Sequence, residues 1–209
     1  MPEVHGEPSA TKKALRQKLL AARAALSPDQ TRAAAQLLAE QALRLPELTG
    51  AATVAAYVSI GREPGTRALL DALRERGVRV LLPVLLADND LDWGEYQGPD
   101  ELVSAGRGLL EPTGPGLGTD AVVEADAVLL PGLAVDARGM RLGRGGGSYD
   151  RVLARLASAD VWPALVVLLY THEVVEQVPV EPHDHPVDAA VTPNGVRRFA
   201  TAVRDRPSE

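Results

Sequence analysis

The sequence contains no cysteine, which excludes disulfide bonds, thiolate metal ligands and a cysteine nucleophile. It also lacks an uninterrupted apolar run long enough to cross a bilayer. Its first residues show no apolar stretch followed by a small-residue cleavage site. The last two absences predict a cytoplasmic protein with no membrane partner. The first means that any catalysis uses groups other than thiols.

An excess of positive charge is missing as well. The formal net charge is −6, whereas a duplex-binding protein needs a broad excess of Lys and Arg to neutralise phosphates. We therefore expect no nucleic-acid partner, although a local basic patch is still able to hold a small anionic ligand. The 209 residues, 45% of them hydrophobic, suffice for one large core but not for two full domains. We predict a flexible tail over 1–10, rich in Pro, Gly and Ser, and a single α/β domain over 11–205.

The hydrophobic pattern predicts alternating helices and strands. Leucines at three- and four-residue steps from Thr11 indicate an amphipathic helix, with Lys12, Arg16 and Arg23 on another face. Ser27, followed by a proline and then Gln30, predicts the capped start of a second helix that extends to about Arg44.

The following segments predict a β-α-β unit: a strand over 52–60, a helix that begins near Thr66 and stops at Gly77, and a strand over 78–83. Two further apolar runs at 126–132 and 164–170 flank a helix over 149–157, and 91–97 is typical of an edge strand. Strands that are apolar on both faces favour a mainly parallel sheet with helices on either side, a three-layer α/β/α sandwich. The polar stretch 87–125 is expected to form the rim of a pocket, and Trp93 to belong to the core.

The most informative segment is a glycine-rich turn between the strand at 126–132 and the following helix. Five glycines lie within residues 139–147, and such a turn usually allows close approach of the backbone to a ligand. Amide groups, Arg141 and Arg144 would bind phosphate oxygens, and Asp150 in the first helical turn would hold a magnesium ion. The segment is neither a Walker loop nor a good dinucleotide fingerprint. A purely structural turn is the alternative, which the two arginines and the aspartate make the weaker interpretation.

The string RLGRGGGSYDR at 141–151 resembles the signature of 5-formyltetrahydrofolate cyclo-ligases, also called methenyltetrahydrofolate synthetases. KKALR at 12–16, VSIGREPGT at 58–66 and VPVEPHDHPVDAAVT at 178–192 agree in order and spacing. The resemblance implies ATP- and Mg²⁺-dependent conversion of 5-formyltetrahydrofolate, or of its polyglutamylated forms, to 5,10-methenyltetrahydrofolate, with release of ADP and phosphate. It also implies a monomer whose fold is similar to sugar-phosphate isomerases and CoA transferases.

The resemblance also implies roles for individual residues. The implied nucleotide contacts are Lys12, Lys13, Arg16, Arg141, Leu142, Gly143, Arg144, Gly145, Gly146, Gly147, Ser148 and Tyr149. The implied folate contacts are Val58, Glu63, Arg144, Gly145, Gly146, Gly147 and Ser148. Arg144 and Glu63 are the predicted catalytic residues, and Asp150 and Asp184 the predicted metal ligands. The chain departs from the family pattern at Ser148, where most members have a tyrosine, and this loses one ring that would stack on the pterin.

Several residues have competing interpretations. Without the resemblance, the Lys12 face is better explained as a solvated helix surface, although no acid lies near it in the sequence. Tyr149 either packs under the glycine turn or contacts ligand. His183 and His185 alternate with Asp184, but we expect them to face solvent and His172 to be structural. The rival functions are a sugar-phosphate isomerase or CoA transferase-like enzyme, and a non-catalytic phosphate- or folate-binding protein.

Overall fold

The computed structural model of the protein describes residues 8–182 and 184–200. The α-helices in this part are α1 (Pro8–Ala25), α2 (Pro28–Ala42), α3 (Pro46–Thr49), α4 (Arg67–Glu75) and α5 (Ser148–Ser158). The β-strands are β1 (Thr53–Ala55), β2 (Arg79–Leu85), β3 (Leu91–Glu95), β4 (Leu102–Ser104), β5 (Leu110–Pro112), β6 (Ala127–Pro131), β7 (Ala134–Val135), β8 (Arg141–Leu142), β9 (Ala164–Leu168), β10 (Ala189–Thr192) and β11 (Gly195–Arg198). Residues 8–10 of the predicted tail therefore belong to α1, and residues 1–7 lie outside the described part.

Seven strands form one sheet in the order β11-β10-β9-β6-β1-β2-β3. The pairs β10–β9, β9–β6, β6–β1 and β1–β2 are parallel, while β11 and β3 join the two edges antiparallel. The predicted β-α-β unit, mainly parallel sheet and edge strand are confirmed. From β1 the chain builds the sheet to one side, and from β6 it builds to the other. The crevice at the carboxyl ends of β1 and β6 is therefore a topological switch point, where ligands bind in open α/β sheets.

Both faces of the sheet are covered, which confirms the three-layer sandwich. On one face, leucines of α2, α3 and α4 pack against alternate strand residues such as Val54 and Leu129. On the other face, α5 packs through Val152 and Leu156. Trp93 is fully buried in this second cluster, as predicted for a core residue.

Strand β1 is shorter than the predicted 52–60 because the chain leaves the sheet after Ala55. Side chains in the following loop then bind its backbone. The Ser59 amide donates to the Thr66 hydroxyl at 2.9 Å, and the Thr66 amide donates to the Ser59 hydroxyl at 3.1 Å. Thr66 does precede α4, but its hydroxyl binds Ser59 and does not cap the helix. The Ser27–Gln30 capping box of α2 and the left-handed Gly77 after α4, with φ +80°, are as predicted.

Helix α1 lies with much of its basic face inward, against the alternative interpretation of a solvated surface. Lys12 and Arg23 are 5% and 2% exposed, respectively. Arg23 donates to both carboxylate oxygens of the fully buried Glu173, at 2.5 and 2.9 Å, and to the Gly132 carbonyl at 2.6 Å. These bonds offset the cost of burying the two charges. In the described residues, no helix combines the length and apolar character that spanning a bilayer requires.

Candidate functional site

Two neighbouring cavities share the glycine-rich segment 143–147 as a common wall. The larger cavity has a volume of about 520 Å³ and lies over the carboxyl ends of β6, β1 and β2. The smaller cavity, about 320 Å³, lies between this segment, α1 and the segment that contains Asp184. Arg141 and Asp150 line both. The segment 143–147, which connects β8 to α5, therefore divides one site into two compartments.

The larger cavity is walled mainly by aliphatic side chains. These include Val58, Ile60, Pro83, Leu85, Leu91 and Leu110. Its polar groups include Tyr57, Glu63, Arg144 and Tyr149, which lie near the ends of β1 and β6. The predicted rim segment 87–125 contributes Leu91, Arg107, Leu109 and Leu110. An apolar chamber of this size with a few convergent polar groups suits a ring system with hydrogen-bonding edges.

The smaller cavity is polar and strongly charged. Its ionisable residues are Lys12, Arg16, Arg141, Asp150, Glu181 and Asp184. Three potential cations therefore face three carboxylates. Such a chamber favours a polyanion that is bound together with a metal cation.

The backbone of the shared wall has a conformation that requires glycine. Gly145 and Gly147 have φ values of +92° and +77°, in the left-handed region. A Cβ atom on Gly145 would lie 3.3 Å from the guanidinium carbon of Arg16. Arg16 also donates from Nε to the Gly143 carbonyl at 2.9 Å. The loop is thereby fixed against α1, and Gly147 is the N-cap residue of α5.

Arg141 lies between the two cavities, with only 8% of its side chain exposed. Nη1 donates to the Pro131 carbonyl at 2.9 Å, and Nη2 lies 3.6 Å from Oδ1 of Asp150. Its Nε is buried and has no hydrogen-bond partner. Burial lowers the pKa of Arg141, and the Asp150 charge acts in the opposite direction. This guanidinium therefore has an unused donor at the junction of the two compartments.

Arg144 and Glu63, the predicted catalytic pair, meet in the larger cavity. Nη1 of Arg144 lies 3.5 Å from Oε1 of Glu63, and the Glu63 side chain is 7% exposed. The other carboxylate oxygen accepts a hydrogen bond from the Ile60 amide at 2.9 Å. Arg144 itself is about half exposed. Val58, the predicted apolar folate contact, lines the same cavity.

Tyr149 fits both of its interpretations. Its ring packs against the core cluster beneath α5, and the residue also lines the larger cavity. The phenolic oxygen is buried and has no hydrogen-bond partner. Burial raises the pKa of Tyr149, as does the nearby Glu63 charge, so the phenol is a neutral donor. Ser148 begins α5 and lines this cavity as well.

Lys12 is neutralised by two acids that are distant in sequence. Its Nζ lies 2.6 Å from Oδ2 of Asp184 and 2.8 Å from Oε2 of Glu181. Both acids are distant along the chain, Glu181 by 169 residues and Asp184 by 172, so no local pattern around Lys12 predicts this pairing. Burial lowers the pKa of Lys12, but the bonds and charges of Asp184 and Glu181 outweigh it, and the net shift is upward.

The remaining predicted residues are distributed as follows. Arg16, Leu142, Asp150 and Asp184 all line the smaller cavity. Lys13 is exposed and lines neither cavity. His172 stacks on Tyr170 with the ring centroids 5.8 Å apart. His185 is exposed, as expected, and His183 lies outside the described residues.

Three polar lining residues were not named individually from the sequence: Tyr57, Arg107 and Glu181. Tyr57 lies two residues beyond β1, at the sheet edge where ligands bind, and its position was a usable signal. Glu181 precedes Asp184 by three residues in the same loop, a spacing that a search for paired carboxylates would have found. Arg107 has only its flanking glycines to mark it.

Comparison with known proteins gives a consistent result. A sequence model of the 5-formyltetrahydrofolate cyclo-ligase family matches residues 8–193. The chain is 46% identical over 148 residues to a 5-formyltetrahydrofolate cyclo-ligase of Mycolicibacterium smegmatis, covering 68% of this chain and 73% of that protein. It is 34% identical over 178 residues to the protein of the same name in Escherichia coli K12, covering 83% and 96%, respectively.

Two solved structures are similar along most of the chain. The 5,10-methenyltetrahydrofolate synthetase of Aquifex aeolicus superposes with a TM-score of 0.77 at 30% identity, covering 95% of both chains. The 5,10-methenyltetrahydrofolate synthetase of Mycoplasma pneumoniae gives a TM-score of 0.68 at 20% identity, covering 87% of this chain and 98% of that one. The second likeness supports the fold alone.

Proposed function

The chain belongs to the 5-formyltetrahydrofolate cyclo-ligase family, and from this premise we propose that it converts 5-formyltetrahydrofolate to 5,10-methenyltetrahydrofolate with consumption of ATP. ADP and phosphate are the other products, so the protein is an ADP-forming ligase. The formyl oxygen is a poor leaving group, and ATP supplies the phosphoryl group that makes it a good one. N10 of the folate then closes the ring on the activated carbon, and phosphate departs.

We assign the folate ring system to the larger cavity. The apolar walls formed by Val58, Leu85 and Leu110 suit the pterin and benzoyl rings. The buried carboxylate of Glu63 is available to accept hydrogen bonds from pterin N–H groups. The unpartnered Tyr149 hydroxyl is an available donor. These groups orient N10 and the formyl group toward the glycine segment.

We assign the triphosphate of ATP to the smaller cavity. The amides at 143–147, the start of α5 and the Arg16 guanidinium would receive anionic oxygens, and the lining of this cavity by Gly143, Gly145, Gly147 and Arg16 supports the assignment. The unpaired Nε of Arg141 fits an additional acceptor that the protein itself does not supply. Arg144, at the edge of the larger cavity, would neutralise charge that develops on the transferred group. We propose a smaller contribution for the exposed Lys13.

Asp150 and Asp184 fit a magnesium ion that accompanies the nucleotide. Both present carboxylate oxygens to the smaller cavity, and within 8–182 and 184–200 no three His or acidic side chains gather as a complete metal cage. Mg²⁺ typically binds through one or two carboxylates together with substrate phosphates, which agrees with this pair. When bound, the ion would screen the phosphate charge. Lys12 would then exchange its bonds with Asp184 for bonds with the nucleotide.

The observation that carries the proposal is the shared wall. Arg141 and Asp150 line an apolar chamber and a polar chamber at once, so a folate in one and a triphosphate in the other would meet at residues 143–147. A reaction that consists of phosphoryl transfer to a bound ring requires alignment and charge neutralisation more than covalent catalysis.

The decisive experiment mixes the purified protein with 5-formyltetrahydrofolate, ATP and Mg²⁺. We expect ADP release that depends on the folate, together with the near-ultraviolet absorbance of the methenyl product. An isomerase or a CoA transferase would release no ADP under these conditions. A binding protein would retain the folate without forming product. Either outcome would overturn the proposal.

A further inference from the structure

Three arginines line the larger cavity, and they differ in whether a carboxylate lies next to the guanidinium group. Arg141 lies 3.6 Å from Asp150, and Arg144 lies 3.5 Å from Glu63. Arg107, in contrast, donates from Nη1 to the neutral Oδ1 of Asn89 at 2.9 Å, and in the described part of the chain it makes no ion pair. Arg107 is therefore the cation of this cavity that has no carboxylate of its own.

The carboxylates nearest to Arg107 along the β2–β3 turn are already engaged elsewhere. Asp90 binds Arg155, with an oxygen 2.7 Å from Nη2, and Asp88 lies 4.0 Å from Nη1 of Arg151. Both arginines belong to α5, so these pairs tie the turn to that helix. The turn thus offers Arg107 only the amide of Asn89, whose bond leaves the remaining guanidinium donors available.

Arg107 lies in the turn of the β4–β5 hairpin, and the hairpin is attached to the main sheet. Glu111 of β5 accepts a hydrogen bond at 2.9 Å from the amide of Leu85, at the end of β2. On β3, Gly94 has no side chain to keep Pro112 away, and a Cβ there would lie 2.4 Å from the proline ring. The hairpin is therefore packed closely against β2 and β3.

The larger cavity extends across several strands of the sheet. Pro131 of β6 and Tyr57 beyond β1 line one end, beside Glu63 and the glycine segment. Leu91 of β3 lines the other end, with Arg107. From β6 to β3 there are three strand spacings, about 14 Å in all. A ligand that reaches from the glycine segment to Arg107 is therefore elongated, apolar in its middle and anionic at its far end.

We infer that Arg107 binds a carboxylate of the folate's glutamate tail, and that it selects folates with an anionic tail. This inference rests on the proposed function, because it takes the ligand of the larger cavity to be a folate. The chemistry agrees with that choice: the pterin would lie beside Glu63, the benzoyl group among the leucines and the tail at the cavity mouth. Arginine suits this role because its planar fork binds carboxylates through paired hydrogen bonds.

The test compares binding of two ligands, measured by calorimetry without ATP. One is 5-formyltetrahydrofolate, and the other is its glutamate dimethyl ester, in which both tail carboxylates are neutral. We expect the native protein to bind the acid about tenfold more tightly than the ester, as is typical of a charge-assisted contact. In Arg107→Gln the two dissociation constants should agree within about twofold, whereas Arg107→Lys should retain part of the preference.

The matched control is Arg32→Gln, which removes the same charge from the exposed face of α2. It should keep the native preference, because the effect is local and does not arise from net charge. A preference unchanged in Arg107→Gln, or absent in the native protein, would overturn the inference. Turnover separates the inference about Arg107 from the proposed function. If the native protein forms the methenyl product but Arg107→Gln keeps the native preference for the acid, the inference fails and the proposed function stands. Failure of the native protein to bind either folate would overturn both.

Discussion

The two cavities on either side of residues 143–147 differ in nearly every property except the wall between them. The larger one is mainly aliphatic, whereas the smaller one gathers six ionisable side chains. Arg141 and Asp150 reach both. The difference shows how a single glycine-rich loop separates a charged compartment from an apolar one, and in the proposed function the reacting groups meet at that loop. Substitutions should therefore affect one compartment or the other, except at the shared wall.

The largest effect is expected at the shared wall. Asp150→Asn should lower kcat by about 10³-fold, because the neutral amide no longer holds the cation that screens the transferred phosphate. Asp29→Asn, an exposed carboxylate on α2, is the matched control and should be neutral. Steady-state kinetics at saturating substrate measures the change, and circular dichroism confirms that the fold persists. A near-normal kcat in Asp150→Asn would remove this residue from the site.

The next largest effect is expected on ATP binding in the smaller, polar cavity, with little effect on folate binding. Lys12→Met should raise KM for ATP by about 100-fold, because a buried cation beside the phosphates is lost. The dissociation constant of 5-formyltetrahydrofolate should change by less than about twofold, since Lys12 does not line the larger cavity. Lys18→Met, on an exposed position of the same helix, controls for net charge. Equal losses for ATP and folate would contradict the separation of the two compartments.

The smallest expected effect is a loss of stability on substitution of Asp136, which fixes the segments next to the smaller cavity. Asp136 is fully buried and accepts hydrogen bonds from the amides of Arg138, Met140 and Val178, at 2.9 to 3.1 Å. It thereby ties the glycine-rich hairpin to the segment that leads to Asp184. Asp136→Asn should cost about 2 kcal/mol of unfolding free energy at neutral pH, because the amide leaves buried donors unsatisfied. Urea unfolding measures this loss.

The pH dependence of that loss has a defined sign. Burial alone would raise the pKa of Asp136, but the bonds from Arg138 and from the backbone amides lower it overall. A carboxyl group whose pKa is lowered in the folded state stabilises the protein above its ordinary pKa, about 4, and that stabilisation is lost as the pH falls through the folded value. The native protein and Asp136→Asn should therefore differ most above pH 4 and converge below it. A gap that widens on acidification would contradict this assignment.

Local signals in the sequence were read correctly where the cause is local. The capping box of Ser27 and Gln30 lies within four residues, and the stop at Gly77 depends on one backbone conformation. The β-α-β unit and the mainly parallel sheet were likewise predicted from short apolar runs and the helix between them. The composition of the glycine string predicted a backbone that approaches a ligand, and in the structure this segment lines both cavities.

The failures involve partners that are distant along the chain. Lys12 meets Glu181 and Asp184, which follow it by 169 and 172 residues, and no periodicity in α1 encodes that contact. Arg23 was placed on a polar face for the same reason, although Glu173 buries it. For Lys12 and Arg23 the tertiary fold therefore determines the partner. Thr66 is a different case, because Ser59, only seven residues away in the same loop, binds the hydroxyl that was expected to cap α4.

A crystal structure with 5-formyltetrahydrofolate, a non-hydrolysable ATP analogue and Mg²⁺ tests most directly which cavity binds which ligand. We predict the pterin between Val58 and Leu110, the triphosphate against the amides of 143–147, and the ion on Asp150 and Asp184. Nucleotide found elsewhere, with the glycine segment facing bulk solvent, would contradict the account.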